Sequence, residues 1–231
     1  GFETLPNVNE LDEGFLNYIT EGKDSVIRKW LRRGASGLRL DVADELPDSF
    51  IEKVRTALKS ENPDSLLIGE VWEDASNKVS YGKQRAFLWG NELDSVMNYV
   101  FREAVLSYLT GGNASLFASK LHSLIENYPK EALYSAMNLI SSHDVPRALT
   151  VLSDSPDFRA LSRIEQHDYV PSESKKELAK RRIVLAIALQ MTLPGAPTIY
   201  YGDEAEMFGY ADPFNRAPMD WNHGDSEILR Q

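Results

Sequence analysis

The stretch Gly37-Leu38-Arg39-Leu40-Asp41-Val42-Ala43-Asp44-Glu45 decides how this chain is read. Leu38, Leu40 and Val42 alternate with Arg39, Asp41 and Ala43, the period-2 signature of a strand. Arg39 and Asp41 therefore share one face. Amphipathic helical patterns flank the stretch, and a parallel strand between helices is normally buried on both faces and apolar throughout. Two charges on such a strand need a reason. A guanidinium beside a carboxylate holds it ionised, which suits a structural ion pair at a strand end and a catalytic carboxylate equally well.

Upstream, Val26, Ile27, Trp30 and Leu31 fall on one helical face, and Gly34 stops that helix. Downstream, Asp48 or Ser49 caps a second helix that turns Phe50, Ile51, Val54 and Leu58 inward, with Pro63 beyond its end. Ser65 to Glu70 reads as a second strand ending in a carboxylate, Tyr81 to Trp89 as an aromatic loop, and Asp94 to Tyr99 as a third strand. A helix runs from about Val100 to Gly111-Gly112, and another starts at Asn113 or Ser115. Tyr134 to Ile140 gives a fourth strand, which leads into Ser141-Ser142-His143-Asp144. Residues 153–172 are polar and irregular, 173–193 form a long helix broken by Pro194-Gly195, and Ala196 to Tyr201 make a fifth strand. Loop follows over 202–223, then the start of a helix over 224–231. Strands separated by helices indicate an α/β fold with parallel strands.

Composition narrows the partners. The chain has 231 residues, 42% hydrophobic and 26% charged, with a formal net charge of −10. Such an acidic balance argues against nucleic acid and anionic membranes as partners and suits a neutral or cationic substrate. There is no cysteine, so no disulfide and no thiolate metal site; this fits the cytoplasm or a secreted bacterial enzyme. No apolar run spans a membrane: Ile183 to Leu193 is interrupted by Gln190 and follows Lys180-Arg181-Arg182.

The polar residues sit at one kind of place. Asp41, Glu70 and His143-Asp144 each stand at the C-terminal end of an expected strand, the edge where β/α barrels and doubly wound sheets gather catalytic groups. Two carboxylates at that edge can run a retaining glycoside hydrolysis, one as nucleophile and one as acid/base. Arg39 would keep Asp41 ionised, and the apolar run Leu66-Leu67-Ile68-Gly69 before Glu70 would favour its protonated form. A divalent metal held by the carboxylates and His143 is the competing reading. Trp72, Tyr81, Trp89, Tyr99, Tyr200 and Tyr201 lie near expected strand ends, where aromatic faces stack on sugar rings; for any one of them a place in the core is the simpler account.

Several of these stretches resemble a known family. Gly37-Leu38-Arg39-Leu40-Asp41, Gly69-Glu70-Val71-Trp72 and Ser142-His143-Asp144 resemble, in that order, three signature regions of the α-amylase family of glycoside hydrolases. Leu5-Pro6-Asn7-Val8-Asn9 is similar to the short signature before the fourth barrel strand in its neopullulanase and oligo-1,6-glucosidase branches. Asp94-Ser95-Val96-Met97-Asn98-Tyr99 resembles strand six of neopullulanases and cyclomaltodextrinases. Tyr200-Tyr201-Gly202-Asp203-Glu204 and Asp212-Pro213-Phe214-Asn215-Arg216 resemble the region around strand eight.

The resemblance implies an incomplete (β/α)8 barrel of the TIM type. Residues 1–18 would be a loop segment before barrel strand four, and 19–231 the C-terminal part of the catalytic barrel, truncated in its last helix. It implies Asp41 as nucleophile, Glu70 as general acid/base and Asp144 as transition-state stabiliser. Arg39, His143, Trp72, Asp212 and Arg216 would bind substrate, an α-glucan or maltooligosaccharide, while Asn7 and Asn9 would be structural. The family's strand-three signature, an Asp followed by Asn-His, is absent, and His122, His167 and His223 do not replace it. Loss of the positioning that this His and Asp give implies a chain inactive or very weak alone, and the open barrel edges imply that it oligomerises or associates with the missing N-terminal half of the barrel. No cofactor and no metal is expected here; the calcium sites of many family members draw on the missing part. A non-catalytic carbohydrate-binding or partner-assembling relative of the same fold is the alternative.

Overall fold

The computed structural model describes residues 4, 6, 8–219, 221 and 226. Leu5, Asn7, His223 and most of the expected final helix lie outside the described residues. The helices are α1 (Glu13–Leu16), α2 (Val26–Arg32), α3 (Asp48–Glu61), α4 (Tyr99–Leu109), α5 (Ala114–Asn127), α6 (Lys130–Tyr134), α7 (Ala148–Leu152), α8 (Arg163–Asp168) and α9 (Glu173–Thr192). The strands are β1 (Gly37–Leu40), β2 (Leu66–Gly69), β3 (Val79–Ser80), β4 (Lys83–Gln84), β5 (Ser95–Val96), β6 (Met137–Leu139) and β7 (Ala196–Thr198).

The chain divides into two compact units. The first comprises residues 1–97 and 127–136. Its sheet is parallel in the order β1-β2-β5, with Leu38 opposite Leu67 and Leu40 opposite Gly69. Two glycines permit this pairing: a Cβ on Gly37 would collide with the Leu66 carbonyl, and one on Gly69 with Leu93 Cδ1. α3 buries Phe50, Ile51, Val54 and Leu58, the inner face read from the sequence, within a core shared with Leu67 and Leu93. Its first turn carries no side-chain cap, because Pro47 occupies the cap position. α2 ends as expected, at Gly34 with φ 105°. β3 and β4 pair as an antiparallel hairpin, so the stretch around Tyr81, expected as loop, is partly strand.

The second unit comprises residues 98–126 and 137–231. β6 pairs with β7 in parallel, Met137 opposite Ala196 and Leu139 opposite Thr198. α4, α7 and α9 pack around Phe101, Val105, Leu149, Leu152 and Ile183. Fully buried Gln190 reaches from α9 to donate to Asn138 O at 2.5 Å and Thr198 O at 2.8 Å. This is why the long apolar segment is interrupted there: a buried amide ties the helix to both strands.

Three differences from the sequence reading have local causes. A helix begins at Glu13, capped by Asp12, inside the stretch expected as loop through residue 18. Tyr134 closes α6 rather than opening the fourth strand, which starts at Met137. Residues 153–172 are not all irregular: Ser162 and Glu165 form a capping box that starts α8. Among the described residues the sheets stay open and close into no barrel, and no helix is long and apolar enough to cross a membrane.

Glu92 marks a pH-sensitive point in the first unit. Its side chain is fully buried, and neither carboxyl oxygen has a hydrogen-bond partner. Burial, reinforced by Asp48, raises its pKa from 4.5 to about 7, against the pull of Arg85. The folded form therefore binds more protons than the unfolded one between these values, and stability falls as pH rises through that window. Glu92→Gln keeps the shape without the charge. It should stabilise the chain at pH 8.5 by on the order of 1–2 kcal/mol and change little at pH 4. Urea unfolding of both proteins across pH 4–8.5 measures this.

Candidate active site

The first group of site residues is built on β1 and β2. The ladder continues past both strands: Glu70 N donates to Leu40 O at 2.9 Å, and Ala43 N to Glu70 O at 3.2 Å. Asp41 and Glu70 thus leave adjacent parallel strands at the same end. Arg39 joins them, with Nη1 at 2.5 Å from Asp41 Oδ1 and Nη2 at 3.1 Å from Glu70 Oε2. Its Nε faces Met97 Sδ at 3.4 Å, just past the end of β5. Val42 adopts φ 45°, ψ 52°, a left-handed conformation that a β-branched residue rarely takes. Its N–H donates to Glu70 Oε2 at 2.9 Å. The turn after Asp41 thus carries strain and supplies a donor to the second carboxylate.

The carboxylates differ in setting. The Asp41 side chain is 72% exposed and that of Glu70 only 5%. Beside the apolar run read before it, Glu70 has polar partners that the sequence did not reveal: its carboxyl meets a guanidinium and a backbone N–H. Trp72, Tyr81 and Trp89 are exposed. Tyr81 hydrogen-bonds the Glu45 carboxylate.

The second group follows β6. His143 Nε2 lies 3.0 Å from Asp144 Oδ2, and Arg216 Nη2 lies 3.3 Å from both Asp144 Oδ1 and Asp212 Oδ2. The structure thus brings His143, Asp144, Asp212 and Arg216 together, as it does Arg39, Asp41 and Glu70. The turn is held from beneath. Asp144 N donates to Ser142 Oγ at 3.1 Å, and buried Tyr99 shares a 3.1 Å hydrogen bond with the same oxygen. Tyr99 is therefore a core residue rather than a stacking platform.

Sequence reasoning missed the buried charges under this turn. Arg102 Nε donates to Ile140 O at 3.0 Å and Nη2 to Pro146 O at 2.8 Å, bracketing the segment. Burial draws its pKa down to about 10. Fully buried Arg147 donates to Tyr201 O at 2.6 Å and lies against the Tyr200 and Tyr201 rings, 4.8 and 4.9 Å from their centroids. Asp203 accepts from Ser141 Oγ at 2.9 Å, and Ser141 Oγ accepts from Ala148 N at 2.8 Å. Burial raises Asp203 to about 7, while Ser141 and Arg147 oppose the shift. The available signal was weak: Arg102 reads as half of an ordinary Arg102-Glu103 surface pair on a helix, and Arg147 as a residue straight after Pro146. Among the described residues, no three His, Asp or Glu side chains gather in a metal-holding arrangement.

Residues 2–228 match the family model described as the alpha amylase catalytic domain. The chain belongs to the α-amylase family. It is 38% identical over 198 residues to neopullulanase 2 from Thermoactinomyces vulgaris, covering 85% of this chain and 28% of that protein. It is 34% identical over 252 residues to an amylopullulanase from Thermoanaerobacter thermohydrosulfuricus, covering 99% of this chain and 16% of that protein. The ligand-free cyclic α-maltosyl-(1→6)-maltose hydrolase from Arthrobacter globiformis superposes with a TM-score of 0.71 at 26% identity, over 94% of this chain and 41% of that one. The chain thus spans well under half the length of each of these three. Its solved neighbours are TIM barrels, and the parallel strands β1, β2 and β5, and β6 with β7, belong to that fold type, here incomplete.

The ion-pair geometry predicts unequal stability effects for two substitutions. Arg39→Met leaves buried Glu70 without its guanidinium and should cost on the order of 2–4 kcal/mol. Asp41→Asn removes an exposed charge and should change stability by less than about 0.5 kcal/mol. Urea denaturation at pH 7 distinguishes the two.

Proposed function

We propose that this chain carries catalytic groups of an α-glucan hydrolase that acts by retaining double displacement. The observation that carries this reading is the pair Asp41 and Glu70, leaving neighbouring parallel strands and joined by Arg39. The chain's membership of the α-amylase family supports it. The similarity to an amylopullulanase and a neopullulanase supports an α-glucan or maltooligosaccharide as substrate.

In this reading β1 takes the place of the fourth barrel strand, and the segment to residue 18 precedes it. Asp41 attacks the anomeric carbon while the bond to the leaving oxygen breaks and Glu70 gives that oxygen its proton. Glu70 then takes a proton from water, whose oxygen attacks the same carbon and frees Asp41. Arg39 orients Asp41. Asp144 faces the positive charge that develops on the sugar, and electrostatic stabilisation of this kind is a large share of catalysis. His143, Asp212 and Arg216 bind hydroxyls of the sugar being cleaved, and Trp72 lies against the leaving-group sugar. β1 pairs with β2 alone among the described residues, and a further strand on its other edge, from barrel partner or second copy, raises the rate.

A mechanism-based glycosyl fluoride tests the nucleophile without needing fast turnover. 2-Deoxy-2,2-difluoro-maltosyl chemistry, or an equivalent slow substrate, should leave a covalent sugar on the peptide containing Asp41, found by mass spectrometry. The adduct should vanish in Asp41→Asn and persist in Glu70→Gln, since fluoride leaves without an acid. Labelling elsewhere, or none, would favour a non-catalytic carbohydrate-binding relative.

A further inference from the structure

We infer that Asn215 is the positioning residue for Asp144. It rests on the role proposed for Asp144 above. Asn215 is 0% exposed. Its Nδ2 donates to three backbone carbonyls of one turn: Ser142 O at 3.3 Å, His143 O at 2.9 Å and Val145 O at 2.9 Å. These residues flank and include the two site groups His143 and Asp144. The amide orientation is fixed by the network, because the flipped form would set Oδ1 against three carbonyl oxygens.

Two further observations show that the contact is specific rather than incidental packing. Asn215 Oδ1 is buried without a hydrogen-bond partner. An apolar side chain of the same shape would avoid that cost, so the amide is retained for its donor end. The same short turn, Phe214–Arg216, also reaches the Asp144 carboxylate through Arg216 at 3.3 Å. One turn thus holds the backbone around Asp144 with one residue and its carboxylate with the next. Asn215 is itself anchored on its far side, where Tyr200 O–H donates to Asn215 O at 3.3 Å.

A carboxylate that acts on a transition state loses effect when its backbone shifts, and displacements near 1 Å cost about 100-fold. Asn215 therefore acts chiefly on kcat, through Asp144, with a smaller effect on KM through His143.

The test is a double-mutant cycle in the full chain, with fluoride release from α-maltosyl fluoride as readout. Asn215→Leu should lower kcat about 100-fold with KM within about twofold. In an Asp144→Asn background the same change should cost less than about threefold, because the group it positions is gone. Tyr200→Phe, a milder change, should lower kcat about three- to tenfold in the same pattern. Losses that multiply in the double variant, or a rise in KM at constant kcat, overturn the inference. If Asn215→Leu does not fold, Tyr200→Phe decides: an unchanged kcat overturns it. If the wild-type chain releases no fluoride, the role proposed for Asp144 fails separately. Positioning is then read from amide exchange, which should be at least about tenfold faster over residues 142–145 in either variant, with α9 unchanged. Equal exchange there overturns it.

Discussion

The Arg39 guanidinium stands between two carboxylates that could not otherwise share a strand edge. Asp41 and Glu70 follow the ends of adjacent parallel strands, Leu40 opposite Gly69, so their backbones are fixed a strand spacing apart. Two like charges so placed repel, and one of them is almost wholly buried. Arg39 removes both problems with one rigid fork, where a lysine would offer a single point charge. The surrounding backbone is shaped to this arrangement. Gly69 has no Cβ because Leu93 fills the space, and Val42 accepts a left-handed conformation whose N–H reaches Glu70. A strained residue beside an ion pair is costly for stability alone and sensible where geometry matters.

The second unit solves a related problem with different means. Its turn after β6 lacks the regular ladder that fixes Asp41 and Glu70, so buried side chains take over. Arg102 grips the carbonyls on either side of the turn, and Ser141 ties it to Asp203. Arg147 secures the Tyr200-Tyr201 segment that follows β7. Burying this many charges rarely increases net stability relative to an apolar core. Burial draws Arg102 down to about 10 and pushes Asp203 up to about 7, which shows how strongly the interior resists them. Geometry at the His143-Asp144 turn is the return for that cost.

How much of this was legible depended on whether the signal was local. The strand at Gly37 showed itself by alternation, and its two charges marked the site because nothing in a buried parallel strand calls for them. The family likeness was legible for the same reason, since its short motifs each sit within a few residues. Arg102 and Arg147 were not legible: their partners are backbone carbonyls and rings that sequence spacing does not bring near them. The helix over Arg163–Asp168 was missed although Ser162 and Glu165 carry a capping box, because only Gln166 in it is buried. Periodicity detects a face turned to a core, and this helix has almost none.

Exposure separates the two carboxylates in a way that bears on their proposed roles. A nucleophile must be charged and must reach a carbon that arrives from solution, and Asp41 presents its carboxylate outward with one guanidinium behind it. A group that exchanges a proton twice per cycle must favour neither form too strongly. Glu70 is buried, which disfavours charge, yet faces Arg39 and the Val42 N–H, which favour it. These opposed influences act on one side chain, while Asp41 meets the same guanidinium from a solvated position. The same arginine can therefore serve both, with Nη1 on Asp41 and Nη2 on Glu70. Replacing Arg39 would not weaken two independent contacts; it would remove the one group that joins both carboxylates.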